Sequence, residues 1–313
     1  MADYDVVIVG SGLAGLTAGL FAARHGLSTL VLESNIPGGH LISIEKIEDF
    51  PGFPDGIAGY DLCPTVQRQA ADHGAQFQRA EILSLEAQDR MWSVGIDEER
   101  HRAKAVIVAT GSSLKDLGVP GEAKLMGRGV SHCASCDGPL YNGQTVGVVG
   151  GGDSALQEAL TLTNYAERVL VFHREETFSA QDTYRQRALS NPKIFSRYRT
   201  TVEEILGEDV VTGVRVRDAQ TSEVTQLDLS GVFVYVGMTP NTALLRNLLR
   251  LSDSGHVPTD NWMKTARAGL YAAGDIRQDS AAQAITSAGD GATAAIAAYR
   301  YIRKNFRERG ETQ

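Results

Sequence analysis

The segment of this chain best equipped for chemistry is Cys133-Ala134-Ser135-Cys136-Asp137. Two thiols separated by two residues can close into a disulfide and reopen, storing two electrons. If a helix starts here, Cys133 lies at its N-terminus, where the dipole favours a thiolate. Only the thiolate attacks a disulfide, so that placement matters. Asp137 stands next in line to give or take a proton as the sulfurs change state, and His132 is a second candidate for that task. Two other readings of the pair stay open, zinc ligands and inert packed thiols. Zinc normally takes four ligands, and the third cysteine, Cys63, lies far upstream without a partner, so no metal is expected. Three cysteines do not describe a secreted disulfide scaffold, and Cys63, in YDLCP, reads as an ordinary packed thiol.

Two glycine-rich turns frame the elements that must position this pair. Residues 5–9 (DVVIV) suit a buried parallel strand and lead into Gly10-Ser11-Gly12-Leu13-Ala14-Gly15, then a helix-like LTAGLFAARHG and the run STLVLE ending at Glu33. Such glycines allow a tight turn and close backbone approach to a pyrophosphate at the helix N-terminus, with the acid placed for ribose hydroxyls. The same construction returns at one common offset. VGVV leads into Gly150-Gly151-Gly152-Asp153-Ser154-Ala155, then LQEALTLTNYA, then RVLVF ending at His173. Matching strand, turn, helix and strand at a single offset make coincidence a poor explanation, so two dinucleotide-binding units are expected.

AKAVIVATG (103–111), GVFVYVG (231–237) and GLYAAGD (269–275) read as further apolar strands, and GATAAIAAYRYIR as a small-residue helix starting near Asp275. The expectation is an α/β chain of two Rossmann-like, three-layer ββα-type dinucleotide-binding domains, the second inserted in the first. Residues 1–113 and 243–313 form the first, and 114–242 the second, with the CxxC pair. Length 313, hydrophobic content 42% and charged content 22% are those of an ordinary two-domain globular protein. A net charge of -8 argues against nucleic acid as a partner. No apolar stretch reaches the roughly 18–20 residues of a membrane span, and MADYDVVIVG does not read as a signal peptide, which places the chain in the cytoplasm.

GVSHCASCDG (129–138) closely resembles the active-site segment of low-molecular-weight thioredoxin reductases. So do GSGLAG, ATG (109–111), GVPGE (118–122), GGGDSA (150–155), GVFVYVGMTPNT (231–242) and AAGD (272–275), in the family's order and over essentially the whole chain. The resemblance implies FAD held by Gly10, Gly12, Ala14 and Gly15, by Glu33 and Ser34, and by Gly38, Gly39, His40 and Leu41. Asp49, Ala109, Thr110, Gly111, Gly274, Asp275, Ala282, Gln283 and Ala284 complete that set. It also implies that Cys136 faces the flavin, that Cys133 attacks the partner disulfide and that Asp137 is the acid/base. The implied partner is thioredoxin or a similar small dithiol protein. The family works as a homodimer and rotates one domain against the other. No cysteine follows Cys136, so a C-terminal redox relay is not expected.

The donor end departs from the family pattern. Gly150, Gly152, Asp153, Ser154 and Ala155 keep the second dinucleotide turn. NADPH-using members follow it with His-Arg-Arg and a further Arg four residues on, which clamp the 2′-phosphate. This chain reads His173-Arg174-Glu175-Glu176-Thr177-Phe178-Ser179, so Glu175 and Ser179 replace two of those guanidiniums. Ala281-Ala282-Gln283 stands where the family has Tyr-Arg-Gln, His40 where it has Gln, and Asp49 where it has Asn. The second dinucleotide stays open between NADH, a second FAD and NADPH, with reduced ferredoxin as a donor that needs none of them. The basic stretch Arg300–Arg309 suits either a helix end complementing its dipole or a dock for an acidic partner such as ferredoxin. Two other functions share the glycine motifs, a non-catalytic flavin redox sensor and a ferredoxin–NADP-type reductase; the second has no need of a CxxC pair.

Overall fold

Apolar runs of five or six residues are too short for helices and too continuous for a one-sided sheet, and they become parallel strands covered on both faces. A computed structural model describes residues 2–97 and 99–306. The chain divides into two units, Met1–Ser113 with Thr239–Gln313, and Leu114–Met238. The crossings run through the short strands β7 (Ser112–Leu114) and β16 (Met238–Pro240). The return crossing thus comes ahead of the expected boundary between 242 and 243. Asn241 accounts for the shift: its N–H donates to Gly111 O (3.0 Å), its amide to Thr110 O (3.0 Å), and its carbonyls accept from Thr110 and Ser113.

The first unit contains β1 (Ala2–Val9), α1 (Leu13–Arg24), β2 (Thr29–Glu33), α2 (Gly59–Asp72) and β3 (Gln76–Arg79). These are followed by β4 (Ile82–Gln88), β5 (Met91–Ile96) and β6 (Glu99–Val108), and after the insertion by β17 (Leu270–Ala272) and α7 (Ala284–Asn305). Strand order is β3-β2-β1-β6-β5-β4. The first four are parallel, and β4 and β5 are an antiparallel addition. β6 is long enough to serve both sides, pairing β5 with its first half and β17 with its last three residues. Side chains alternate across the sheet. Val6, Ile8, Val31 and Ile107 pack under Ala14, Ala18, Ala294 and Ala298 of α1 and α7, while Val7, Val9, Leu30 and Leu32 fill the opposite face. A Cβ on Gly291 would run into Ala14 O, so α1 and α7 approach to backbone contact. α7 begins at Ala284, a full two turns before the helix expected from GATAAIAAYRYIR, because Gln283 and Thr286 form a capping box.

The second unit holds α3 (Glu122–Leu125), β8 (Val130–Ser131), α4 (Ala134–Asp137), β9 (Thr145–Val149), α5 (Asp153–Leu162) and β10 (Arg168–Phe172). α6 (Asp182–Ser190), β11 (Ile194–Arg197), β12 (Thr200–Leu206), β13 (Gly213–Asp218), β14 (Val224–Asp228) and β15 (Gly231–Val234) complete it. A parallel sheet ordered β11-β10-β9-β15-β8 is accompanied by the antiparallel ribbon β12-β13-β14. Each unit is therefore Rossmann-like, with β9–α5–β10 repeating β1–α1–β2. β8, at the sheet edge, leads directly to His132 and the cysteines.

Candidate active site

Cys133 and Cys136 are joined in a disulfide with Cα atoms 5.3 Å apart. α4 is a single turn, and Cys133 is its N-cap. The sulfur of Cys133 accepts the N–H of Cys136 at 3.2 Å and lies 3.4 Å from Ser135 Oγ. Negative charge is therefore better received at Cys133 than at Cys136, whose residue is the more exposed of the two. Asp137 follows in the same turn, and its charge reaches two phenols, Tyr141 and Tyr235, adding to the upward push that burial gives both. His132 is tied by Nδ1 to Val234 O at 2.9 Å, which orients its ring, with Nε2 3.7 Å from Asp116.

In the first unit, the turn between β1 and α1 brings Gly10, Gly12, Ala14 and Gly15 together. A Cβ on Gly15 would strike Gly10 O, whereas a Cβ on Gly12 would meet nothing within 4 Å. The one glycine closes the turn; the other leaves an open cradle at the start of α1, which fits a pyrophosphate. Glu33 ends β2 and is locked to this loop, accepting Ser11 N at 2.8 Å and Ser11 Oγ at 2.9 Å, and also Asn35 N at 3.0 Å. Gly38, Gly39, His40 and Leu41 belong to the turn of 3-10 helix at Gly39–Ser43 and its cap, bridged to the loop through Gly12 and Gly38. Ser34, His40 and Asp49 are exposed. Ala109, Thr110 and Gly111 follow β6, and Gly274 and Asp275 follow β17. Asp275 accepts Ser287 Oγ at 2.9 Å, and its carboxyl is raised, first by burial. Ala282, at φ 50°, Gln283 and Ala284 open α7. This cradle fits FAD, which when bound supplies the two-electron relay of the reaction.

The second turn brings Gly150, Gly152, Asp153, Ser154 and Ala155 to the start of α5. Here His173 occupies the place of Glu33. It is buried against Gly151, where an added Cβ would hit the ring, and its Nε2 meets Thr177 O at 3.0 Å. Ser179 turns back to the glycine loop, with its N–H on Gly151 O at 2.9 Å, and Asp153 accepts Gln181 N at 2.7 Å. At the rim, Arg174 pairs with Glu175 (3.1 Å) and Arg199 with Glu176 (2.8 Å).

Several residues that shape these sites escaped the sequence reading. Glu158 accepts the N–H of Ala134 and the phenol of Tyr235, and Asp290 binds Gly274 N and the Arg277 guanidinium. Only Glu158 had a signal, a carboxylate in the helix of a dinucleotide motif. Of the basic stretch, Arg300, Arg303 and Lys304 lie in the last turns of α7, while 307–309 fall outside the described residues. Arg300 stacks on Trp262 at 4.3 Å. Along α7 they lie about 26 to 32 Å from Gln283. Cys63 is buried in α2, and burial pushes its thiol up to about 11. Among the described residues, no helix is long and apolar enough to cross a membrane.

Residues 4–291 match the family model for pyridine nucleotide-disulphide oxidoreductases. The chain is 41% identical over 300 residues to the thioredoxin reductase of Treponema pallidum, covering 96% of this chain and 97% of that one. The crystal structure of Lactococcus lactis thioredoxin reductase in its FR conformation superposes with a TM-score of 0.94 at 35% identity, over 96% of this chain and 99% of the other. That of T. acidophilum thioredoxin reductase gives 0.92 at 33%, with 96% and 99% covered. The chain belongs to the pyridine nucleotide-disulphide oxidoreductases and, within them, to the low-molecular-weight thioredoxin reductase family. It is a flavin-dependent disulfide oxidoreductase.

Proposed function

We propose that this enzyme reduces thioredoxin or a similar small dithiol protein, with Cys133 as the attacking thiol, Cys136 as the partner that takes electrons from the flavin, and Asp137 as the acid/base. The observation that carries this reading is the pair of donors, Cys136 N–H and Ser135 O–H, gathered on the Cys133 sulfur. In the reduced pair they favour the thiolate there. That thiolate attacks one sulfur of the partner's disulfide; the partner's S–S bond breaks, a mixed disulfide forms, and the leaving sulfur takes a proton from Asp137. The Cys136 thiol then attacks the Cys133 sulfur, which closes the pair and releases the partner as a dithiol.

Upstream, the reading is an adenine dinucleotide without a 2′-phosphate, NADH or a second FAD, at the second glycine turn. Both rim arginines, Arg174 and Arg199, already face carboxylates, and a phosphate arriving there meets Glu175 and Glu176. The same repulsion is absent for a free 2′-hydroxyl, which a carboxylate accepts. The test is to count FAD per purified chain and then add NADH, NADPH and reduced ferredoxin separately without oxygen. Bleaching by NADH ahead of NADPH, or two flavins per chain, agrees with this reading; rapid bleaching by NADPH overturns it. Thioredoxin-coupled insulin reduction by Cys133→Ser should fall to background with flavin content intact. Full activity in that variant removes Cys133 from the mechanism.

A further inference from the structure

α5 reaches the cysteines as well as following the second glycine turn. From its second turn, Glu158 Oε2 accepts the N–H of Ala134 at 3.0 Å and the phenol of Tyr235 at 3.3 Å. Ala134 is joined directly to Cys133, and its N–H is the first of α4. An N-cap side chain accepts from the N–H of the second or third helical residue, here that of Cys136, so the Ala134 N–H is left to another acceptor. That acceptor is the Glu158 carboxylate, which sets a negative charge at the peptide joining Cys133 to Ala134. Tyr235 is buried, its phenol pushed far up first by burial and then by Glu158, so it remains a fixed donor that keeps the carboxylate in place.

We propose that Glu158, held by Tyr235, is a positioning residue that keeps the Cys133–Cys136 pair strongly reducing, by opposing the negative charge of the Cys133 thiolate. Reduction of the pair takes two electrons from the flavin and two protons, breaks the S–S bond and leaves two thiols. A protein that stabilises the thiolate makes its disulfide an oxidant; one that disfavours it makes the dithiol a better reductant. The same opposition keeps the thiol from becoming so acidic that it loses nucleophilicity. The other titratable groups facing the pair are Asp137 on α4, His132 ahead of it and Tyr141 beyond it. None of these contacts the Ala134 N–H, so Glu158 is separable from them. The inference rests on Cys133 and Cys136 being a working redox pair.

The test compares flavin-loaded wild type, Glu158→Gln and Tyr235→Phe. Each is equilibrated anaerobically in mixtures of oxidised and reduced dithiothreitol at about pH 8 and about pH 6, then trapped by alkylation. Gln retains an oxygen for the Ala134 N–H and removes only the charge. Glu158→Gln should move the equilibrium towards the dithiol about tenfold at the higher pH, equivalent to about 30 mV for this two-electron couple. That shift should shrink at the lower pH, where both thiols are protonated. Tyr235→Phe should move it the same way by less, and it carries the test if Glu158→Gln fails to hold flavin. A titration that coincides with wild type at both pH values overturns the proposal, as does a shift independent of pH. A wild-type pair that does not cycle at all removes the redox reading itself, and this inference with it.

Discussion

The two glycine turns are built alike and used differently. α1 is enclosed, nine of its twelve residues being buried, and the strand that follows returns a carboxylate, Glu33, to the loop through Ser11. α5 has only four buried residues, and the strand after it returns a histidine that packs under Gly151. The side of α5 left free of the sheet carries Glu158 to the cysteines. In the proposed function the first turn serves a cofactor alone, whereas the second serves a dinucleotide and, through its helix, the sulfur pair. One supersecondary unit copied twice keeps its backbone and changes its task at a few side chains.

The largest effect that can break this comparison comes from adding a methyl group to each turn. Gly15→Ala drives a Cβ into Gly10 O. It should cost about 1–3 kcal/mol of stability and leave purified protein largely without FAD, as read by absorbance per chain. Gly151→Ala, which strikes His173, should cost a similar amount yet leave the FAD of the first unit bound. Equal flavin loss in both would show that the two turns are not functionally separate. A smaller effect is expected at the rim of the second turn. Glu175→Arg should lower the KM for NADPH about tenfold while leaving the insulin assay with a pre-reduced enzyme unchanged. The smallest concerns Asp275, whose carboxyl is raised by burial. A raised folded-state pKa means that the folded chain holds the proton more tightly, so this group's contribution is present in acid and lost as pH rises through its folded value. Asp275→Asn should therefore make the flavin-free protein slightly more heat-stable at neutral pH. The gain should vanish below the carboxylate range, and thermal unfolding at several pH values checks it.

Much of the fold was legible because both dinucleotide units announce themselves locally. An apolar strand, a glycine turn and a small-residue helix are contiguous in each unit. The CxxC pair was equally local, and so was the departure at Glu175. What escaped were partners from distant segments. Nothing near Glu158 in sequence points to Ala134, and nothing near Asp290 points to Gly274; folding brings each pair together. The start of α7 was misjudged because the periodic apolar pattern begins about two turns in, whereas the capping box Gln283–Thr286 sets its first turn.

The sequence by itself determined the class of chemistry: two thiols at a spacing that allows one disulfide, beside two turns that only glycine can make. It also determined that the donor end departs from the family. The tertiary structure alone gathered the Cys136 N–H and the Ser135 hydroxyl on the Cys133 sulfur and brought Glu158 to the Ala134 N–H. Those outcomes depend on hydrogen-bond directions and on charge separations of a few ångströms, and at that range a change of rotamer reverses the balance. A linear spacing carries no such information. The glycine pattern therefore identifies where dinucleotides are handled, and the packing of α5 against α4 places the carboxylate proposed to set how strongly the pair gives up electrons.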